Sequence, residues 1–199
     1  MGIFSNLFGQ KKYPEKWDFY MTNVEDKPAS IYINLGLHKY IPLKEKSHLC
    51  WIAVKLNNPT ENGLTTAEES KTLFEIEDRI LNVINAANTI YVGRLTNDGF
   101  RDFYFYSKDE EEFKNQAQKI ADSYTNYEFI IDTKKDQNWS GYLNIYPNEI
   151  DFQSIANRNV VENLEKNGDN LLKERDVFHW IYFENESDRQ KYIETVKKE

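Results

Sequence analysis

The stretch that most constrains this chain is residues 49–56, LCWIAVKL. Apolar side chains occupy both alternations, so a strand here has to be covered on both of its faces. The segment that follows supplies one cover. Leu73, Ile76, Ile80 and Ile84 recur at helical spacing and define a buried stripe. Thr65 and Glu68 ahead of it are spaced as a capping box, each satisfying an orphan backbone N–H of the first turn. Glu68, Glu75, Asp78 and Arg79 form the opposite face. Paired carboxylates at helical spacing suit acid–base chemistry or a metal. No histidine lies near them in sequence, so a solvated face is the better reading.

Residues 89–96 and 100–106 read as strands joined at Asn97-Asp98-Gly99, where glycine tolerates a tight turn. Ser107 and Glu110 are spaced as a second capping box, and Phe113, Ala117, Ile120 and Tyr124 form the stripe of a second helix. A strand at 127–132 follows. The order from 49 to 132 is therefore β-α-β-β-α-β, the split βαβ pattern. The expected fold is α+β: a ferredoxin-like antiparallel sheet with its helices on one face. Upstream, Trp17, Phe19 and Met21 alternate, as do Ile31, Ile33 and Leu35, around the turn-rich Glu25-Asp26-Lys27-Pro28. This predicts a hairpin that extends the sheet or packs beside it.

Downstream, residues 139–146 are expected as an edge strand. Residues 150–166 read as a helix with Phe152, Ile155, Val161 and Leu164 inward and Gly168 at its C′ position. Residues 176–183 form an aromatic strand in this reading. Asn185 then caps a last helix, with Asp188 three residues on and Tyr192, Ile193 and Val196 facing inward. The chain thus divides into an α+β domain, 1–146, and a C-terminal helix–strand–helix unit, 147–199.

At 199 residues the chain is one large domain or two small ones. Its net charge of −8 argues against general nucleic-acid binding, which needs clustered Lys and Arg, and would suit a basic partner. Two segments imitate an RNA-recognition motif: Ile90-Tyr91-Val92-Gly93-Arg94-Leu95 and the aromatic run 99–106. A hairpin joins them here, whereas in that motif the first signature strand runs into a helix, and Asp98 stands where a basic residue belongs. Core packing explains the aromatics better. Cys50 is the single cysteine and reads as a buried thiol, which excludes an internal disulfide framework. The start, MGIFSNLFGQKK, is too short for a signal peptide, and Asn6 misses the myristoylation pattern. A docked or frayed terminus is favoured there over an interfacial anchor through Ile3, Phe4, Leu7 and Phe8. With no run long enough to span a bilayer, the chain is expected in the cytoplasm.

His38, His48 and His179 are scattered without metal-ligand spacing, and no phosphate loop or nucleophile elbow is present. No catalytic residue, cofactor or metal is expected. His179, Trp180, Tyr182, Arg94, Arg101 and Tyr104 are the candidates for an interaction surface or pocket. The leading expectation is a non-enzymatic interaction or regulatory module. The alternatives are a small-molecule or hydrolytic pocket at His179, Arg94 and Arg101, and an RNA-associated factor.

Asn62-Gly63-Leu64, Ile76-Glu77-Asp78, Tyr91-Val92-Gly93-Arg94 and Phe103-Tyr104-Phe105-Tyr106 together resemble the bacterial family called domain of unknown function 695. Further on, Asn157-Arg158-Asn159-Val160-Val161, residues 164–169, Arg175 and His179-Trp180-Ile181-Tyr182-Phe183 resemble the opening of the RraB family. The second resemblance implies a protein partner, since RraB proteins bind and inhibit ribonuclease E, and it brings no catalytic residues. RraB proteins continue into further strands, helices and an acidic tail. Here the upstream sheet would complete the unit, or the unit is a packing element alone.

Overall fold

The computed structural model describes residues 13–172, 174, 178 and 180–197. The elements are β1 (Trp17–Val24), β2 (Lys27–Asn34), β3 (His48–Lys55), α1 (Ala67–Val83), β4 (Thr89–Asn97), β5 (Phe100–Ser107), α2 (Glu110–Ala121), β6 (Phe129–Lys135), α3 (Ser140–Asn144), α4 (Glu149–Lys166) and α5 (Glu186–Val196). The architecture is α+β. Six strands form one sheet in the order β1-β2-β4-β5-β3-β6, and every neighbouring pair is antiparallel. The apolar segment at 49–56 is explained by its place: β3 has a partner on each edge and a core on each face. Cys50, Ile52 and Val54 pack with α1 and α2, while Leu49 packs into the opposite cluster.

The N-terminal hairpin extends the sheet through β2 and β4. Its turn residues Glu25 and Asp26 have φ of 51° and 62°, and Asp98 and Gly99 between β4 and β5 have 49° and 82°. Positive φ at both central residues marks turns whose twist matches that of the flanking strands. The α1 stripe Leu73, Ile76, Ile80 and Ile84 is buried, as are Phe113, Ala117 and Ile120 of α2. Tyr124, the fourth residue of the second expected stripe, lies beyond the helix end and is partly buried against the same cluster.

The caps fall later than their spacing suggested. Thr66, not Thr65, accepts from the Glu69 N–H (3.4 Å). Thr65 is engaged instead by Arg101 Nη2 (3.1 Å). Glu69 does not return the cap; its carboxylate accepts from the N–H groups of Asn57 (2.6 Å) and Asn58 (3.0 Å), pinning the loop after β3. At α2 the cap is Asp109, which accepts from Glu112 N–H (2.9 Å). Ser107 stays in the sheet, buried beside Thr89 (3.1 Å).

The expected edge strand at 139–146 is absent. Trp139 adopts a left-handed conformation (φ 59°, ψ 33°) and the chain turns into α3. Asp136 directs this turn. Its carboxylate accepts from Ser140 N–H (2.9 Å), Gly141 N–H (2.8 Å) and the Tyr106 hydroxyl (2.6 Å). Trp139 is then buried flat on Tyr106, 3.8 Å between centroids at 5°, and its indole N–H donates to Lys46 O (3.0 Å). Tyr142 and Ile145 enter the same cluster, joined by Ile155 of α4. Helices therefore cover both faces of the sheet, a correction to the one-sided arrangement expected.

The described chain divides into two compact units, one ending at Asn159 and the other beginning at Val160. Asn148 caps α4 by accepting from Ile150 (2.8 Å) and Asp151 (3.0 Å), and Asp151 reciprocates (3.0 Å). Of the four α4 side chains expected inward, Ile155 alone is buried; Phe152, Val161 and Leu164 are exposed. Gly168 closes the helix as expected, at φ 88°, with Asp169 N–H donating to Leu164 O (3.0 Å). In the second unit the expected aromatic strand is not formed among the described residues. Asn185 does cap α5, accepting from Asp188 N–H (2.9 Å), yet Tyr192 and Val196 are exposed. The N-terminal anchor residues Ile3, Phe4, Leu7 and Phe8 lie outside the described residues. No helix among the described residues is long and apolar enough to cross a membrane.

Burial pushes the Asp136 carboxyl up, but the donations from Gly141, Tyr106 and Ser140 outweigh it and hold the group below its ordinary 3.8. A lowered acid stabilises the fold above its unfolded pKa, and that contribution disappears as pH falls through the folded value. Asp136→Ala is expected to cost about 3 kcal/mol near neutrality, since three donors lose a charged acceptor. In urea unfolding, the gap between this variant and the natural chain should narrow below about pH 4.

Candidate functional site

The hairpin widens the sheet beyond the reach of α1 and α2, leaving part of one face uncovered. A cleft of about 910 Å³ opens there, bordered by α1 (Phe74, Glu77, Leu81), β1 (Trp17), β2 (Tyr32), β4 (Tyr91, Arg94) and the loop residue Lys46. It lies within the first compact unit.

Its chemistry depends on an irregularity in β4. Tyr91 pairs with Phe105 and Gly93 with Tyr104, so β4 advances two residues while β5 advances one. The extra residue shifts the alternation. Tyr91 and Arg94 are three apart and in a regular strand would point to opposite faces. Here both meet α1. Tyr91 donates its hydroxyl to Glu77 Oε1 (2.8 Å), and Arg94 Nη1 bonds and ion-pairs to Glu77 Oε2. Gly93 permits the bulge: a Cβ there would stand 2.6 Å from Tyr32 O.

The walls are aromatic. Trp17 stacks on Tyr32 (5.0 Å) and Tyr91 (5.2 Å), and the Arg94 guanidinium lies between Tyr32 (4.7 Å) and Phe74 (5.1 Å). Glu77 is 6% exposed, which only its two partners make tolerable. Burial, and then the Glu77 charge, push the Tyr91 hydroxyl well up. Lys46 is 9% exposed and donates to Ala87 O (3.3 Å), and it has no salt bridge among the described residues. Burial, followed by Lys108, lowers its pKa against the opposing pull of Glu45.

Of the six candidate residues, the structure brings together Arg94 and Arg101. Arg101 is buried and also lies over the Phe74 ring (5.5 Å), held by Thr96 (3.0 Å) and Thr65 (3.1 Å), with its Nη1 left without a hydrogen bond. Burial, then the Arg94 charge, lower its pKa to about 10. Tyr104 packs on the opposite face, donating to Asp102 Oδ2 (3.1 Å). Asp102 is raised to about 6 by burial, offset by that bond. Trp180 and Tyr182 belong to the second unit, 78% and 88% exposed. His179 lies outside the described residues.

The RNA-like aromatics are spent on packing: Phe103 and Phe105 lie beneath α1 and α2, and Tyr106 lies beneath Trp139. Cys50 is buried and its thiol is pushed up to about 12 by burial and then Glu110. Trp17, Tyr32, Phe74, Lys46 and Glu77 were not among the site candidates read from the sequence, although Trp17 entered as a hairpin residue and Glu77 as part of a family motif. Glu77 carried a signal, because a carboxylate four residues after Leu73 and three before Ile80 sits on the apolar side of its helix. Gly93 inside a strand was a second, since an isolated strand glycine often marks a bulge.

Gly93→Ala is expected to lower stability by about 2 kcal/mol, because the clash is with backbone and cannot relax by rotation. Lys46→Met, which removes a buried ammonium without a carboxylate partner, is expected to leave the melting midpoint unchanged or raise it. Thermal unfolding of both variants checks these outcomes.

Residues 15–146 match the model of a family of unknown function (DUF695), and residues 154–199 match that of regulator of ribonuclease activity B. No curated protein and no solved structure matches the chain. The first match takes in all six strands, both large helices of the sheet and, among the described residues, every residue of the cleft wall apart from Tyr13. With most of its length inside that model, the chain belongs to the family of unknown function DUF695.

Proposed function

We propose that this chain is a non-enzymatic, cytoplasmic interaction or regulatory module whose C-terminal unit binds a protein partner. The observation that carries the reading is a concentration of exposed apolar side chains on a short segment. Leu172, Phe178, Trp180, Ile181 and Tyr182 all stand in solvent among the described residues. Exposed apolar side chains gathered on one segment cost free energy in water unless something covers them, and Trp and Tyr are the residue types that anchor interfaces. The match to a regulator of ribonuclease activity over residues 154–199 supports a protein partner, and the net charge of −8 favours a basic one.

In this proposal strands β3 to β6 with α1 and α2 form a ferredoxin-like, split βαβ unit. The sheet order β4-β5-β3-β6 supports it, as does the helix following each of β3 and β5. The functional boundary falls near residue 146, between the two family matches. The break in packing comes later because α4 starts inside the first unit: Ile155 enters its core, and Arg158 bonds Asp18 and the Phe19 carbonyl.

The test is affinity capture from native lysate with the full chain and with a Trp180→Ser/Tyr182→Ser double variant. A protein partner retained by the natural chain and lost by the variant is expected. Both side chains are exposed, so the melting midpoint should stay within about 2 °C. Retention of no protein even at low salt would overturn the reading, as would equal retention by both chains.

A further inference from the structure

The cleft beside α1 combines features that the partner-binding surface does not explain. Lys46 is buried in its wall with one carbonyl acceptor and no salt bridge among the described residues. Glu45 acts on it without forming a salt bridge, so the ammonium has no carboxylate in contact among the described residues, the partner that buried cations ordinarily have. Its position is fixed at one end of the cleft, because Ala87, which accepts from it, stands two residues before β4 begins. Arg94 marks the other end. Five residues of extended chain separate Thr89 from Arg94, about 15 Å after allowing for the bulge. Arg94 commits Nη1 to Glu77, while its Nε and Nη2 make no hydrogen bond among the described residues. Between the two cations runs the aromatic wall of Trp17 and Tyr91.

We propose that this cleft binds a small organic anion with a flat, unsaturated body, its anionic group at Lys46, its body along Trp17 and Tyr91, and an acceptor atom toward Arg94. Charge decides against the opposite choice. An aromatic enclosure of this type also suits organic cations, but the position between Tyr32 and Phe74 is already filled by the chain's own Arg94. Glu77 is neutralised by that same arginine, and Glu15 and Asp78 stand exposed at the margin. A cationic ligand would meet Lys46 unscreened. An anion supplies the missing counter-charge, and the apolar wall excludes water from the contact, strengthening it. Burial, followed by Lys108, lowers the Lys46 pKa, and an anion bound beside the ammonium would raise it. This site is independent of the partner proposed above.

Two fluorescent probes of one shape test it on the full chain: 8-anilinonaphthalene-1-sulfonate, and N-phenyl-1-naphthylamine, which lacks the sulfonate. The anionic probe should bind the natural chain, and Lys46→Met should weaken it about tenfold, the equivalent of 1.4 kcal/mol. The neutral probe should change by less than about twofold on that substitution. Trp17→Ala should weaken both probes, and Trp180→Ser/Tyr182→Ser should weaken neither. The proposal is overturned if the anionic probe does not bind, or if Lys46→Met affects both probes equally or neither. It is also overturned if the signal is lost with the Trp180/Tyr182 variant, or if phenyltrimethylammonium displaces the anionic probe. An unchanged melting midpoint for Lys46→Met confirms that a loss reports the site and not the fold.

Discussion

One residue too many in β4 governs the functional face of this protein. The bulge between Tyr91 and Gly93 resets the alternation of the strand, so Tyr91 and Arg94 both reach the carboxylate of Glu77. A buried glutamate with a single partner is a liability; with a guanidinium and a phenol it becomes the tie between α1 and the sheet. The same shift aims Arg94 between Tyr32 and Phe74, where it joins the hairpin strand to the helix. Gly93 is the backbone condition for all of this, since its Cα faces the β2 main chain too closely for any side chain.

The opposite face is organised by a second carboxylate with a different task. Asp136 gathers two backbone N–H groups and the Tyr106 hydroxyl, and so turns the chain from β6 into α3. Trp139 is thereby laid on Tyr106, and the tyrosines of that region find carbonyl acceptors: Tyr20 donates to Ile145 O (2.8 Å) and Tyr142 to Asn34 O (2.9 Å). These bonds bridge the hairpin to the segment after β6. The hairpin is held from both sides, which is why a sheet extension without helices of its own can serve as a cleft wall.

Periodicity made much of this legible. The α1 stripe, most of the α2 stripe, the two hairpins and the covered strand β3 follow from patterns within a few residues, and the structure has each of them. What escaped depends on contacts distant in sequence. Thr65 looked like a cap, but Arg101 takes its hydroxyl and Thr66 serves. The alternating WSGYLNIY resembled a strand, yet Asp136 and Tyr106 coil it. The aromatic density of residues 178–183 suggested a strand with a buried face, and Phe178, Trp180 and Tyr182 instead stand in solvent. For the cleft, Arg94 was legible through its motif. Trp17, Tyr32 and Lys46 were not, because they converge only after the hairpin joins the sheet.

The claim on which the rest stands is that Tyr91 and Arg94 share one face and one acceptor. A regular strand would let only one of them touch Glu77. Two double-mutant cycles measured by urea unfolding decide it, Glu77→Gln with Tyr91→Phe and Glu77→Gln with Arg94→Met. The account predicts a coupling of about 1 kcal/mol or more in both cycles. Additivity to within about 0.5 kcal/mol in either one would contradict it.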